Sequence, residues 1–273
     1  MDYILYILIF CIGTLFGSFF TLAVYRIPIR QDITHTRSYC PKCNHKLGFF
    51  DMIPILSYVF LGGKCRYCKD KIRIRYLLLE ILSGIVFVLF AVSIKLSIYT
   101  FNVPMIIYFI VGLLYIATMF IIAGIDKERI RIEKPVMLFG FICVTIYMMY
   151  LYIVEKDTNV YRYVIYLLFT CFFMLFSNIY LRKKGKDSYP IDILTLSMLM
   201  VLFTYETVYI YTVIISLTAI FIQLLLHKIT IKKVKMVKKK EIKENKIPIG
   251  FYMCTANIVT LIITNFFIFY NVL

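Results

Sequence analysis

Two acids stand where apolar runs meet water. Asp126, in AGIDKERIRI (123–132), closes about twenty almost wholly apolar residues, and Asp192, in YPIDILTLSM (189–198), opens another such run. An ionised acid at the centre of a membrane helix costs roughly 2.5–3.5 kcal/mol on insertion scales, so a chain that keeps acids near hydrocarbon has a use or a partner for them. Two carboxylates sharing a low-dielectric site do not both ionise readily, and the pair can hold one proton between them. One then activates water while the other protonates or polarises a carbonyl, which is the chemistry of an aspartic protease. Independent roles are equally open: Asp126 paired with Arg129, and Asp192 as a first-turn acid favoured by the helix dipole. Asp187 competes with Asp192 as the second acid. Glu80 lies one turn into a further apolar run, where an ion pair with Arg73 or Arg75 is as reasonable as a functional role.

A second chemistry is written in the cysteines. CPKCNHKLGFF and CRYCKDKIRI supply Cys40, Cys43, Cys65 and Cys68, two CxxC pairs with residues 44–64 between them. Each CxxC turn converges two thiolates on one side of a tetrahedral metal, and the second turn completes the site. Four thiolates leave no open coordination position, so the expected zinc is structural. For a segment of about fifty residues it supplies folding free energy on the order of 10 kcal/mol. His45 can replace one ligand, although a solvated loop histidine suits its position better. Cys11, Cys143, Cys171 and Cys254 are scattered on separate apolar runs and read as small packing residues.

The elements that must position these groups are set by composition. Of 273 residues, 62% are hydrophobic, more apolar surface than a soluble domain of this size can cover. The expected fold is an all-α polytopic membrane protein of about eight transmembrane helices, near 3–25, 76–98, 102–125, 136–154, 160–181, 191–205, 207–227 and 247–270. The first run, without basic residues ahead of it or a small-residue cleavage site behind it, reads as a retained helix. Three regions follow: a first transmembrane helix over 1–25, a zinc-binding loop domain over 26–75, and a membrane core over 76–273. No internal repeat is legible.

Charge sets orientation. With the N-terminus outside, 28 of the 31 Lys and Arg residues fall on the cytoplasmic side, leaving Lys95, Lys156 and Arg162 outside. Both termini are then external, and the cysteine loop and both acids are cytoplasmic, where the loop stays reduced. The net charge of +16 is mostly an orientation signal. The basic run HKITIKKVKMVKKKEIKENK (227–246) faces anionic lipid headgroups, and no nucleic-acid partner is expected.

These features together resemble the type IV prepilin peptidases, polytopic intramembrane aspartic proteases of bacterial pilus, secretion and competence systems. GSFFTLAVYRIP (17–28) is similar to the family's opening motif, including Arg26, with Thr21 where the family has asparagine. IPILSYVFLGGKCRYCKDKIRIRYLLLEILSG (53–84) resembles the family's loop and second-helix entry almost throughout, including Arg75, Tyr76 and Glu80. AGIDKERI resembles the segment bearing the first catalytic aspartate, carrying that role to Asp126. NKIPIGFYMC (245–254) is similar to the Pro-x-Gly entry of the last helix. Two departures stand out. The family's Gly-x-Gly-Asp is replaced by Tyr189-Pro190-Ile191-Asp192, and its Ile-Pro-Asp after the first aspartate is replaced by IEKP (132–135).

The resemblance implies a bacterial inner-membrane endopeptidase that removes the basic leader of prepilins or pseudopilins at the cytoplasmic face. It also implies possible N-methylation of the new N-terminus with S-adenosylmethionine, for which the sequence offers no Gly-rich nucleotide loop. Arg26, Arg75 and Glu80 are further candidate functional residues on that basis. The alternatives are an inactive relative, since the lost glycines demand a different local backbone, or a membrane assembly scaffold or transporter with a zinc loop. A transporter would be expected to place charges or helix breakers near the middle of several spans. The spans over 136–154, 160–181, 207–227 and 247–270 carry no such charges.

Overall fold

The computed structural model describes residues 2–35, 37–99, 102–157, 163–176, 179, 188–235 and 247–270, with the backbone alone at 205, 206 and 226–235. Among these the chain is helical apart from loops and two isolated antiparallel bridges. The helices are α1 (Asp2–Arg26), α2 (Leu56–Phe60), α3 (Ile74–Ser93), α4 (Val103–Arg129), α5 (Lys134–Ile153), α6 (Val164–Phe176), α7 (Tyr189–Lys235) and α8 (Ile249–Phe269). Six apolar segments are long enough to cross a membrane, and two shorter ones, Val164–Phe176 and Tyr189–Thr204, accompany them. Helices are the expected answer, since a spanning segment must satisfy its own backbone hydrogen bonds. The chain divides into two compact units, Met1–Leu113 with Asn265–Leu273, and Leu114–Thr264.

In the first unit α1 lies directly against α3. A Cβ added at Gly17 would come within 2.7 Å of the Glu80 Cα and 3.0 Å of the Leu79 carbonyl oxygen, so the absence of a side chain is what lets the two backbones meet. Ser83 Oγ donates to the Gly13 carbonyl oxygen (2.7 Å) across the same crossing. Below it Phe87 and Phe90 are fully buried. Outward-facing Leu8, Ile12 and Leu15 stay exposed, as side chains turned toward lipid must.

Glu80 makes no ion pair with Arg73 or Arg75 among the described residues. Its Oε2 instead accepts the Ile55 backbone N–H at 2.8 Å, and the Ser18 hydroxyl also donates to it. The reason is geometric: Ile55 has φ 62°, a strained conformation for a β-branched residue, and its backbone N–H is presented to the carboxylate. Arg26 is nearly buried and donates to the Asp32 carbonyl (2.9 Å) and the Arg37 carbonyl (3.3 Å), tying the chain that leaves α1. Arg75 stacks over Tyr76 at 5.3 Å.

In the second unit, α7 does not run straight. Tyr189 reaches Gly250 and Gln223 reaches Tyr252, yet residues 189 and 223 of a straight helix would stand about 51 Å apart. The reversal lies between Thr204 and Thr212, both of which accept from the Asn257 side-chain amide, at 3.4 and 3.1 Å. Two apolar arms result, Tyr189–Thr204 and Thr207–Leu225. Asn257 also accepts from Tyr115 (2.6 Å), and Thr212 bonds Thr260 (2.8 Å), so a buried polar cluster fixes the two arms on α8.

The α1–α3 contact yields a direct test. Gly17→Val should destabilise the purified protein by about 1–3 kcal/mol, since backbone atoms cannot give way as a side chain can. The measurement is thermal unfolding in detergent, with Leu8→Val on the exposed face of α1 expected to sit near wild type.

Candidate functional site

The cysteine segment belongs to the first unit. The Sγ atoms of Cys40, Cys43, Cys65 and Cys68 lie within 4.8 Å of one another, and Cys40 and Cys68 are 3.8 Å apart. Four sulfurs at about 2.3 Å from a tetrahedral zinc would be separated by roughly 3.8 Å, whereas a disulfide needs about 2.05 Å. The donor set therefore fits zinc. His45 is outside it and stacks on Tyr67, ring centroids 3.5 Å apart.

Two matching turns build the site, a short repeat where no internal repeat was legible. Cys40 N–H donates to the His45 carbonyl and Asn44 N–H to the Cys40 carbonyl; twenty-five positions later Cys65 N–H donates to Asp70 and Lys69 N–H to Cys65. Leu47 to Ser38 and Ile72 to Gly63 repeat the offset, as do the bridges Tyr39–Lys46 and Lys64–Lys71. Asn44 and Lys69 take the same left-handed conformation, φ 55° and 59°. The signal was present in CPKCNHK and CRYCKDK, which share Cys-x-x-Cys-x-x-Lys.

Ionisation is already uneven among these thiols. Desolvation opposes the Cys40 thiolate, but the backbone N–H groups of Cys43 and Lys42, with the thiols of Cys65 and Cys43, bring it down to about 7. The Asp70 N–H favours the Cys68 thiolate, yet desolvation and the other three sulfurs push it up to about 11. A divalent cation resolves this conflict by letting all four ionise against its charge.

The acids belong to the second unit. Asp126, at the C-terminal end of α4, is fully buried, and Asp192, in the first turn of α7, is 2% exposed. Asp126 does not pair with Arg129. Its Oδ2 accepts from the Phe251 backbone N–H (2.9 Å) and the Tyr189 hydroxyl (3.1 Å), while its Oδ1 is buried with no hydrogen-bond partner. Gly250 permits this approach: a Cβ there would lie 3.1 Å from Asp126 Oδ2 and 3.5 Å from Ile193 Cδ1. Asp126 thus rests against the α7 turn that carries Tyr189, Asp192 and Ile193. Asp192 Oδ2 accepts from Ser188 Oγ (2.8 Å), and its Oδ1 is 3.9 Å from Lys134 Nζ.

The missing glycines have a local explanation. Tyr189 and Pro190 open α7, Pro suiting the first turn because its absent N–H has no helical acceptor there. A helix start occupies the place of a glycine loop. Asp187 lies outside the described residues. No spacing in the sequence connects Tyr189, Lys134 or the Phe251 N–H to the acids they meet.

Residues 11–94 match the family model described as Bacterial Peptidase A24 N-terminal domain. Curated relatives are each named prepilin leader peptidase/N-methyltransferase. One from Vibrio cholerae serotype O1 is 38% identical over 89 residues, 30% of this chain and 35% of the relative. One from Klebsiella pneumoniae is 31% identical over 126 residues, 44% and 51% of the two chains. One from Bacillus subtilis is 30% identical over 132 residues, 48% and 50%. The chain thus spans between a third and a half of the length of these relatives. No solved structure matches. Residues 11–94 are thus similar to the N-terminal domain of bacterial A24 peptidases, and the chain resembles relatives named prepilin leader peptidase/N-methyltransferase over part of their length.

Proposed function

We propose that the chain is an intramembrane aspartic endopeptidase that removes the leader of prepilins or pseudopilins at the cytoplasmic face of the bacterial inner membrane, with Asp126 and Asp192 as its catalytic pair. The observation that carries this reading is the burial of Asp126 against the α7 turn that bears Asp192. The relatives' printed names support the substrate class.

In this mechanism one carboxylate takes a proton from water as the water oxygen attacks the scissile carbonyl carbon. The other, protonated, gives its proton to the carbonyl oxygen. On collapse the C–N bond breaks, the first acid protonates the departing amine, and a hydroxyl of the diol returns its proton to the second. A site at the rim of the hydrocarbon suits a reaction that consumes water. A substrate with a basic leader and an apolar helix beyond it would bring its scissile bond to that depth.

Zinc on the four cysteines is assigned a structural role, since it has no open position. For S-adenosylmethionine the support is the relatives' printed N-methyltransferase names, and the sequence itself offers no Gly-rich nucleotide loop.

Three measurements test this reading. Co-expression with a prepilin should give leader removal by wild type and none by Asp126→Asn or Asp192→Asn, with retention by Asp187→Asn. Loss with Asp187→Asn but not Asp192→Asn would move the second acid to Asp187, cleavage by Asp126→Asn would remove Asp126 from the catalytic pair, and no cleavage by wild type would favour a scaffold. Adding methyl-labelled S-adenosylmethionine to the cleaved product decides whether methyl transfer accompanies cleavage. Purified protein should contain one zinc per chain, and Cys65→Ser should lower its amount more than its rate per molecule; a variant of normal abundance and no activity would contradict a structural metal.

A further inference from the structure

Both departures from the family pattern meet the acids. IEKP delivers Lys134, whose ammonium is 3.9 Å from Asp192 Oδ1, and the lost glycine delivers Tyr189, whose hydroxyl donates to Asp126 Oδ2. The two carboxylates therefore have unlike partners, a cation for one and a neutral donor for the other.

Lys134 holds its place against local preference. It sits in the first turn of α5, where the helix dipole disfavours a cation, and it is only 9% exposed. A buried ammonium is costly unless an anion meets it. The other charged and titratable groups nearby are Glu133 at the α5 N-cap, which pairs with Arg131 (2.8 Å), Asp126 and Lys127 from α4, Tyr189 from α7 and Cys254 from α8. The Lys127 ammonium lies over the Phe251 ring at 4.5 Å.

We propose that Lys134 is a positioning residue that holds Asp192 ionised, making Asp192 the acid that takes the proton from water and Asp126 the one that carries a proton to the carbonyl oxygen. The donors on Asp126 fit this division. Both fall on Oδ2, as they can with a neutral carboxyl, leaving Oδ1 to bear the proton. The Ser188 hydroxyl donates to Asp192 and adds to the support of its charge. The inference rests on the peptidase reading above.

The test is the pH–rate profile of prepilin cleavage by Lys134→Met and Lys134→Arg, normalised to protein amount. A carboxylate deprived of its cation takes up a proton at higher pH. Lys134→Met should therefore have its acidic limb moved upward by about one pH unit, so that its rate falls about tenfold on that limb and little at the top of the profile. Lys134→Arg should keep the wild-type limb. Where Lys134→Met does not accumulate, Lys134→Gln is measured in its place. A neutral variant with the wild-type limb overturns the inference, as does an arginine variant that fails in the same way as the neutral one. Absence of cleavage by wild type would instead remove the peptidase reading itself.

Discussion

A carboxyl group kept out of water has to be met by donors already fixed in place, and the second unit is arranged around where Asp126 finds them. Its donors come from two separate helices, the Phe251 N–H from the opening of α8 and the Tyr189 hydroxyl from the opening of α7. Both are helix beginnings, whose first N–H groups have no partner within their own helix. The free N–H of Phe251 is thus not an accident of packing but a property of the place where α8 starts. Gly250, lacking a side chain, lets the carboxylate reach it. The Asn257 cluster then fixes the two arms of α7 on α8, so that the element carrying Tyr189 and the element carrying Phe251 are held together by polar contacts farther along.

What was legible in the sequence followed from properties that do not depend on folding. Apolar runs announced the spans because hydrocarbon thickness fixes their length. The paired CxxC turns announced a metal site because a tetrahedral centre needs thiolates in that spacing, and the four sulfurs do converge. Asp126 and Asp192 stood out because acids beside apolar runs are costly.

What was not legible depends on contacts between residues far apart in the chain. Lys134 and Asp192 are 58 positions apart, and Tyr189 and Asp126 63, with nothing in their spacing to link them. Glu80 looked ready to pair with its basic neighbours, but a strained backbone at Ile55 presented an N–H that no one-dimensional pattern could place. The reversal of α7 was expected as a break between spans, whereas the backbone stays helical through it, because Thr204 and Thr212 are drawn to one amide.

The twin turns of the cysteine segment carry a consequence for its variation. Each half closes by its own set of backbone hydrogen bonds, so the residues that join them, including Phe49, Phe50 and α2, serve as a tether between two like grips. Such a tether can gain or lose length, or change its side chains, without touching the backbone bonds that close either turn.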